Sequence, residues 1–201
     1  QVVLPLRAID LRRSAPGALT DYSSKTSLVN GLNTISGVRM EERSPGSYRL
    51  SIRGSSLRSP FGVRNLKVYW NGIPITDPGG NTYFNQFAWN NFSDLVVVKG
   101  PVSSMYGAGT GGLVLLSSIS GPWQPGFQAE LITGSYQLRN VFASGQFYRY
   151  SRGEDVYEAT RNIFTYAHSE ADGYRDHTRL RRDNFSWVTR VKRNRYELTG
   201  S

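Results

Sequence analysis

The chain has 201 residues, 38% of them hydrophobic, which is enough for one or two domains with real cores. It has no cysteine, and this excludes disulfides, thiol catalysis and cysteine-based metal sites. The excess of 24 Lys+Arg over 15 Asp+Glu gives a net charge of +9, which raises nucleic acid or an anionic membrane as partners.

No run of about 18 apolar residues is present, so no transmembrane helix is expected. No basic-then-apolar signal peptide leads the chain, which therefore reads as mature or trimmed at Gln1. Gln1 to Tyr22 reads as a strand entry, Val-Val-Leu-Pro-Leu, followed by a loop. Ser23 to Asn33 reads as a short helix, capped by Ser23 or Ser24, with Leu28 and Leu32 on one face; Ser36-Gly37 ends it. Tyr48 to Gly54 alternates as a strand. Lys67 to Trp70 is a second strand, closed by the turn signal Asn71-Gly72.

Two polar, glycine-rich loops follow strands: Ser55 to Gly62, and Asp77 to Phe92. The second holds Tyr83, Phe84, Phe87, Trp89 and Phe92 among Asn and Gln, a mixture suited to ligand contact. Packing of the loop is the competing use for each of these rings.

Leu95 to Val98 is a β-branched strand run, and Lys99-Gly100-Pro101 stops it. Ser103 to Tyr106 can form one helical turn, and Leu113 to Leu116 is a further strand. Gly107, Gly109 and Gly112 satisfy G-x-G-x-x-G, but that fingerprint must follow a strand directly and open a helix, so a dinucleotide site is rejected. Glycines this dense imply close backbone approach or positive φ.

Taken together, these strings resemble the plug domain of TonB-dependent outer-membrane receptors. The matching pieces, in order, are Ser36-Gly37-Val38, Ser51-Ile52-Arg53-Gly54, Val68 to Pro74, and Lys99-Gly100-Pro101 with Tyr106-Gly107 and Gly111-Gly112. The departures are Ser36 for Pro, Asn71 for Asp, and Leu115 where the family usually has Asn. No convincing TonB box is found in Gln1 to Leu4, and the expectation is a box upstream of residue 1.

After Ser120 the pattern changes. Gly121-Pro122 and Pro125-Gly126 punctuate a linker. Phe127 to Thr133, Val141 to Phe147, Asn162 to Ser169 and Asn184 to Val191 alternate, and Tyr196 to Thr199 begins another such run. Alternating segments separated by turns fit a transmembrane β-barrel or a soluble antiparallel sheet, and the resemblance selects the barrel. Asp172-Gly173-Tyr174-Arg175 also resembles a family phrase in an early barrel loop. Outer-membrane transporter barrels close at about 22 strands with a plugged lumen. Only four to five fit here, so the chain reads as part of a longer receptor.

The resemblance thus implies an α+β plug domain, a mixed sheet with short helices, over 1–120. It implies an incomplete N-terminal part of an antiparallel transmembrane β-barrel over 121–201. The implied function is TonB-dependent uptake of a scarce nutrient across the bacterial outer membrane. The implied partners are TonB, outer-membrane lipid and a small molecule such as a ferric siderophore, with cobalamin or a glycan next. No cofactor and no enzyme activity are implied. Arg58, Tyr83, Phe84, Asn85 and Gln86 are the expected ligand contacts, and Arg53 and Lys99 are expected to face the barrel wall. His168 and His177, near Asp172 and Asp176, fit no metal-ligand spacing. The rival from another class is a basic β-rich nucleic-acid-binding module. Against it, the eight Arg and Lys residues between Arg175 and Arg195 lack interleaved stacking aromatics on one face.

Overall fold

The computed structural model describes residues 29–33, 35–55, 63–88, 91–92, 94–101, 103–107, 109–118, 125–152, 157–194 and 196–200. The expectations for Gln1 to Tyr22, for the Ser23 or Ser24 cap, and for nearly all of the loop Ser55 to Gly62 lie outside them. Two compact units divide the chain: residues 1–85 with 92–120, and residues 86–91 with 121–201.

The first unit opens with helix α1 (Val29–Asn33). Leu32 is buried, and the chain leaves through a bond from Ile35 N–H to the Leu32 carbonyl at 3.0 Å. Gly37, at φ 75°, lets it turn into β1 (Val38–Ser44). The Asn33 side chain joins the two elements. Its Nδ2 donates to the Met40 carbonyl at 3.0 Å, and its Oδ1 accepts from the Met40 N–H at 2.7 Å. β1 pairs antiparallel with β2 (Ser47–Ile52), so that Val38, Met40, Leu50 and Ile52 bury one face. The sequence reading found β2 and missed β1. Val38 and Met40 do alternate, but Glu41-Glu42-Arg43 hides the run behind consecutive charges.

The second sheet of this unit has four strands: β3 (Leu66–Trp70), β4 (Ile73–Pro74), β5 (Asp94–Lys99) and β6 (Gly112–Ser117), in the order β4-β3-β6-β5. β6 is central, parallel to β3 and antiparallel to β5. Leu113, Val114 and Leu116 are all at most 1% exposed, which explains an unbroken apolar run where a one-faced strand would alternate. Asn71 and Gly72 both have positive φ, 49° and 84°, the two-residue hairpin turn that matches strand twist. Helix α2 (Ser103–Tyr106) is the one-turn helix expected between β5 and β6. Tyr69 Oη donates to the Tyr106 carbonyl at 3.0 Å and anchors it.

The glycine string has a steric cause. A Cβ on Gly111 would lie 2.4 Å from Ser55 Cβ, and one on Gly112 would lie 2.6 Å from the Val98 carbonyl oxygen. β6 therefore begins where no side chain fits, packed against the end of β2 and against β5.

The second unit is an open antiparallel meander in the order β11-β10-β9-β8-β7. Its strands are β7 (Gly126–Gly134), β8 (Leu138–Arg152), β9 (Tyr157–Ala171), β10 (Leu180–Arg193) and β11 (Tyr196–Gly200). Register sorts the residues onto two faces. One row runs Phe127, Gly145, Phe164, Trp187; the Phe164 and Trp187 rings stack at 5.7 Å. This aromatic face leaves Phe127 at 77% and Phe185 at 72% exposure. The opposite face carries Asn140, Phe142, Ser144, Ile163, Thr165, Ala167, Ser169 and Val188, all buried. The strands outrun the expected segments because the pairing continues through Tyr148 and Tyr150, where the apolar alternation has already ended.

Candidate functional site

The candidate site is the loop from Asp77 to Phe92. Its root is stitched to β3. Val68 N–H donates to Thr76 Oγ1 at 2.9 Å, Thr76 and Thr82 hydroxyls meet at 2.8 Å, and Thr82 N–H donates to the Val63 carbonyl at 3.0 Å. Asp77-Pro78-Gly79-Gly80-Asn81 closes on itself. Asp77 N–H donates to the Asn81 carbonyl, and Asn81 N–H donates back to Asp77 Oδ1 at 2.8 Å. Arg64 Nε donates to Asn81 Oδ1 at 2.6 Å. The Asn81 N–H, above all, holds the Asp77 carboxyl below the usual range, helped by the Asn81 side chain, the Gly79 N–H and the Arg64 charge against some desolvation.

Beyond this root the chain makes a 3-10 turn, Phe84–Gln86. Tyr83 is 52% exposed, and Asn85 and Gln86 are exposed beside it. Phe84 differs from the expectation: at 3% exposure its ring is interior packing and has no open face for a ligand. Arg58 and Trp89 lie outside the described residues. Phe92 returns to the first unit and stands edge-on to Trp70, ring centroids 5.8 Å apart.

Between those ends, residues 86–91 join the second unit. Asn184 Nδ2 donates to the Gln86 carbonyl at 2.7 Å, and Ala88 clusters with Phe142 and Ala167. Sequence reasoning missed Asn184. It registered only as a polar member of an alternating strand, 98 residues away from Gln86.

Arg53 and Lys99 stand at strand ends, as expected. Arg53, exposed and at φ 49°, follows β2 and donates its N–H to the Gly37 carbonyl at 2.7 Å. Lys99 ends β5, opposite Gly112.

One end of the aromatic face is charged. Tyr166 Oη donates to Asp183 at 3.0 Å, His168 Nδ1 meets the same carboxylate oxygen at 2.7 Å, and Arg179 pairs with Glu170 at 2.7 Å. Among the described residues, no group of three or more His, Asp or Glu could hold a metal ion. Among them, too, no helix is long and apolar enough to cross a membrane.

Residues 15–114 match the TonB-dependent Receptor Plug Domain. The chain thus carries the plug domain of the TonB-dependent receptors, a family of bacterial outer-membrane proteins. Among solved structures, one titled "Copper transporter OprC" matches at 20% identity and a TM-score of 0.48, covering 80% of this chain and 24% of that one. The chain therefore spans about a quarter of that protein's length.

Proposed function

We propose that the chain is the plug and first barrel strands of a receptor that imports a scarce nutrient across the outer membrane, driven by TonB from the periplasm. A ferric siderophore is the first cargo, with cobalamin or a glycan as alternatives. The observation that carries the reading is the plug domain followed in one chain by a sheet with one aromatic face and one small, polar face.

The ends of the aromatic face are charged and its middle is not. His168 with Asp183, and beyond them Arg139, Glu170 and Arg181, close one end; Arg149, and beyond it Glu158 with Arg193, close the other. Eight residue steps of β9 separate His168 from Thr160, the partner of Arg149. At about 3.3 Å per step this is about 26 Å of strand, which stands about 19 Å high at a tilt of about 45°, most of the apolar band of about 25 Å that outer-membrane barrels present. Phe164, Trp187 and Phe185 lie between the charged rows, where acyl chains would cover them.

Cargo binds, in this reading, through Tyr83, Asn85 and Gln86 at the loop tip, and through Arg58 in the loop Ser55 to Gly62. A polar chelate or sugar uses an aromatic face for stacking and amides for directional hydrogen bonds. Energised cells carrying the full receptor are expected to accumulate the cargo only when TonB is present. Ferric siderophores, cobalamin, an oligosaccharide and copper ions form the test panel. Arg58→Ala with Tyr83→Ala should weaken binding by roughly tenfold to a few hundredfold, since each lost hydrogen bond costs on the order of 1 kcal/mol and a charged one more. Wild-type affinity in that double variant would move the site to the barrel loops, and uptake indifferent to TonB would end the reading.

A further inference from the structure

Residues 86–91 are flanked on both sides by the first unit, yet they pack as part of the second. Phe84 and Phe92 are committed on either side, one interior and the other against Trp70. Between them, two contacts seat the segment and a third closes it. The Gln86 carbonyl accepts from Asn184 Nδ2. Ala88, fully buried, lies with Phe142 and Ala167. Asn91 N–H donates to the Ala88 carbonyl at 3.0 Å and closes the segment on itself. Phe142, Ala167 and Asn184 form one register row across β8, β9 and β10, so a single row of the sheet holds the segment.

We propose that Gln86, Ala88 and Asn91 form a fixed tether: they stay on this row of the sheet while the plug strands loosen during uptake. The inference rests on the TonB-driven reading above. Three features favour a permanent seat. The bond to Asn184 uses backbone, so it survives any change in the Gln86 side chain and leaves that amide for ligand. Ala88 is covered by the cluster it forms with Phe142 and Ala167, so leaving the row would expose apolar surface. The sheet row belongs to three paired strands, a rigid support, whereas the segment's connections to the plug are single chain crossings near residues 85 and 92. Loosening of β3, β5 and β6 would then stop at those two crossings, and the loop tip would keep its place.

The test is the Ala88→Cys, Ala167→Cys receptor, full length and otherwise free of cysteine. Oxidation should join the pair, and uptake of the wild-type cargo should stay within about twofold of the reduced form. An oxidised receptor that binds cargo but transports it tenfold or more slowly would show that the segment must leave, and would overturn the tether. Failure of both oxidation and a short bis-maleimide to join the thiols would overturn it as well. If the reduced receptor shows no TonB-dependent uptake, the functional reading fails instead, and hydrogen exchange then decides on the tether. In mild urea the Asn91 amide should exchange with those of β8 to β10, and more rapidly in Asn184→Ala. Exchange together with β3 and β6 would overturn the proposal.

Discussion

Single atoms set two of the fold's constraints. Gly112 sits at φ 146° with the Val98 carbonyl oxygen 2.6 Å from where a Cβ would be, and Ile52 Cδ1 at 3.0 Å. Gly112→Ala must strain the backbone and push apart β5 and β6, a cost of about 2–3 kcal/mol. Gly80→Ala, at φ 82° but facing open space, should cost only about 1 kcal/mol. Hydrogen exchange of the Leu113 to Leu116 amides in the full receptor separates the two; equal losses would refute the steric argument. Asp77 gives a pH dependence. Its folded pKa lies below its unfolded value, so its contribution is complete above the ordinary carboxylate pKa of about 3.9 and is lost as pH falls through the lower folded value. Protection of the Asn81 amide should converge on that of Asp77→Asn only at such acid pH. Convergence near neutrality would assign the loop's closure to something other than this carboxylate.

Elements show how far the sequence could be read. β2, β3, β5, α2 and β6 were legible because turn residues, β-branched runs and ordered strings agree there. β1 was hidden by Glu41-Glu42-Arg43, whose side chains occupy exposed and half-exposed positions that local pattern does not distinguish from loop. The site was less legible than the strands. Composition marked the loop as aromatic and polar, but not that Phe84 packs inward while Tyr83 stays out. Asn184 meets Gln86 only through strand register, which no local stretch encodes. The two-faced sheet makes its own prediction. Phe164→Arg puts a charge in the middle of the aromatic band, beside Phe147 and Trp187, and should cost roughly 2–4 kcal/mol if lipid covers that face. Glu158→Arg, on the same face but in the charged end row, should cost about 1 kcal/mol or less. Denaturant titration of the full receptor in vesicles measures both, and indifference to position would mean water covers the face.

At the scale of the whole receptor, the open sheet and the two strand-end cations raise the same requirement. Among the described residues β7 and β11 are the unpaired edges of the sheet, and in the proposed barrel both must be paired, because unpaired edges are untenable in lipid. Arg53 and Lys99 have no acidic partner among the described residues, and both hang from tightly packed roots. Arg53 follows Ile52, Lys99 pairs with Gly112, and Gly112 packs on Ile52. Cations so placed suit carboxylate partners in the complete receptor. In a water-poor setting a matched pair holds firmly, and removing one partner strands the other charge. Arg53→Ala with Lys99→Ala in the complete receptor should therefore loosen the plug, speeding exchange of its strand amides about tenfold or more, the equivalent of about 1.4 kcal/mol. Arg53→Lys with Lys99→Arg should recover most of the protection, because charge is kept. Unchanged exchange in the alanine pair would remove both residues from any role in seating the plug. Loss in the alanine pair without recovery in the charge-conserving pair would mean that side-chain shape, more than charge, holds these strand ends.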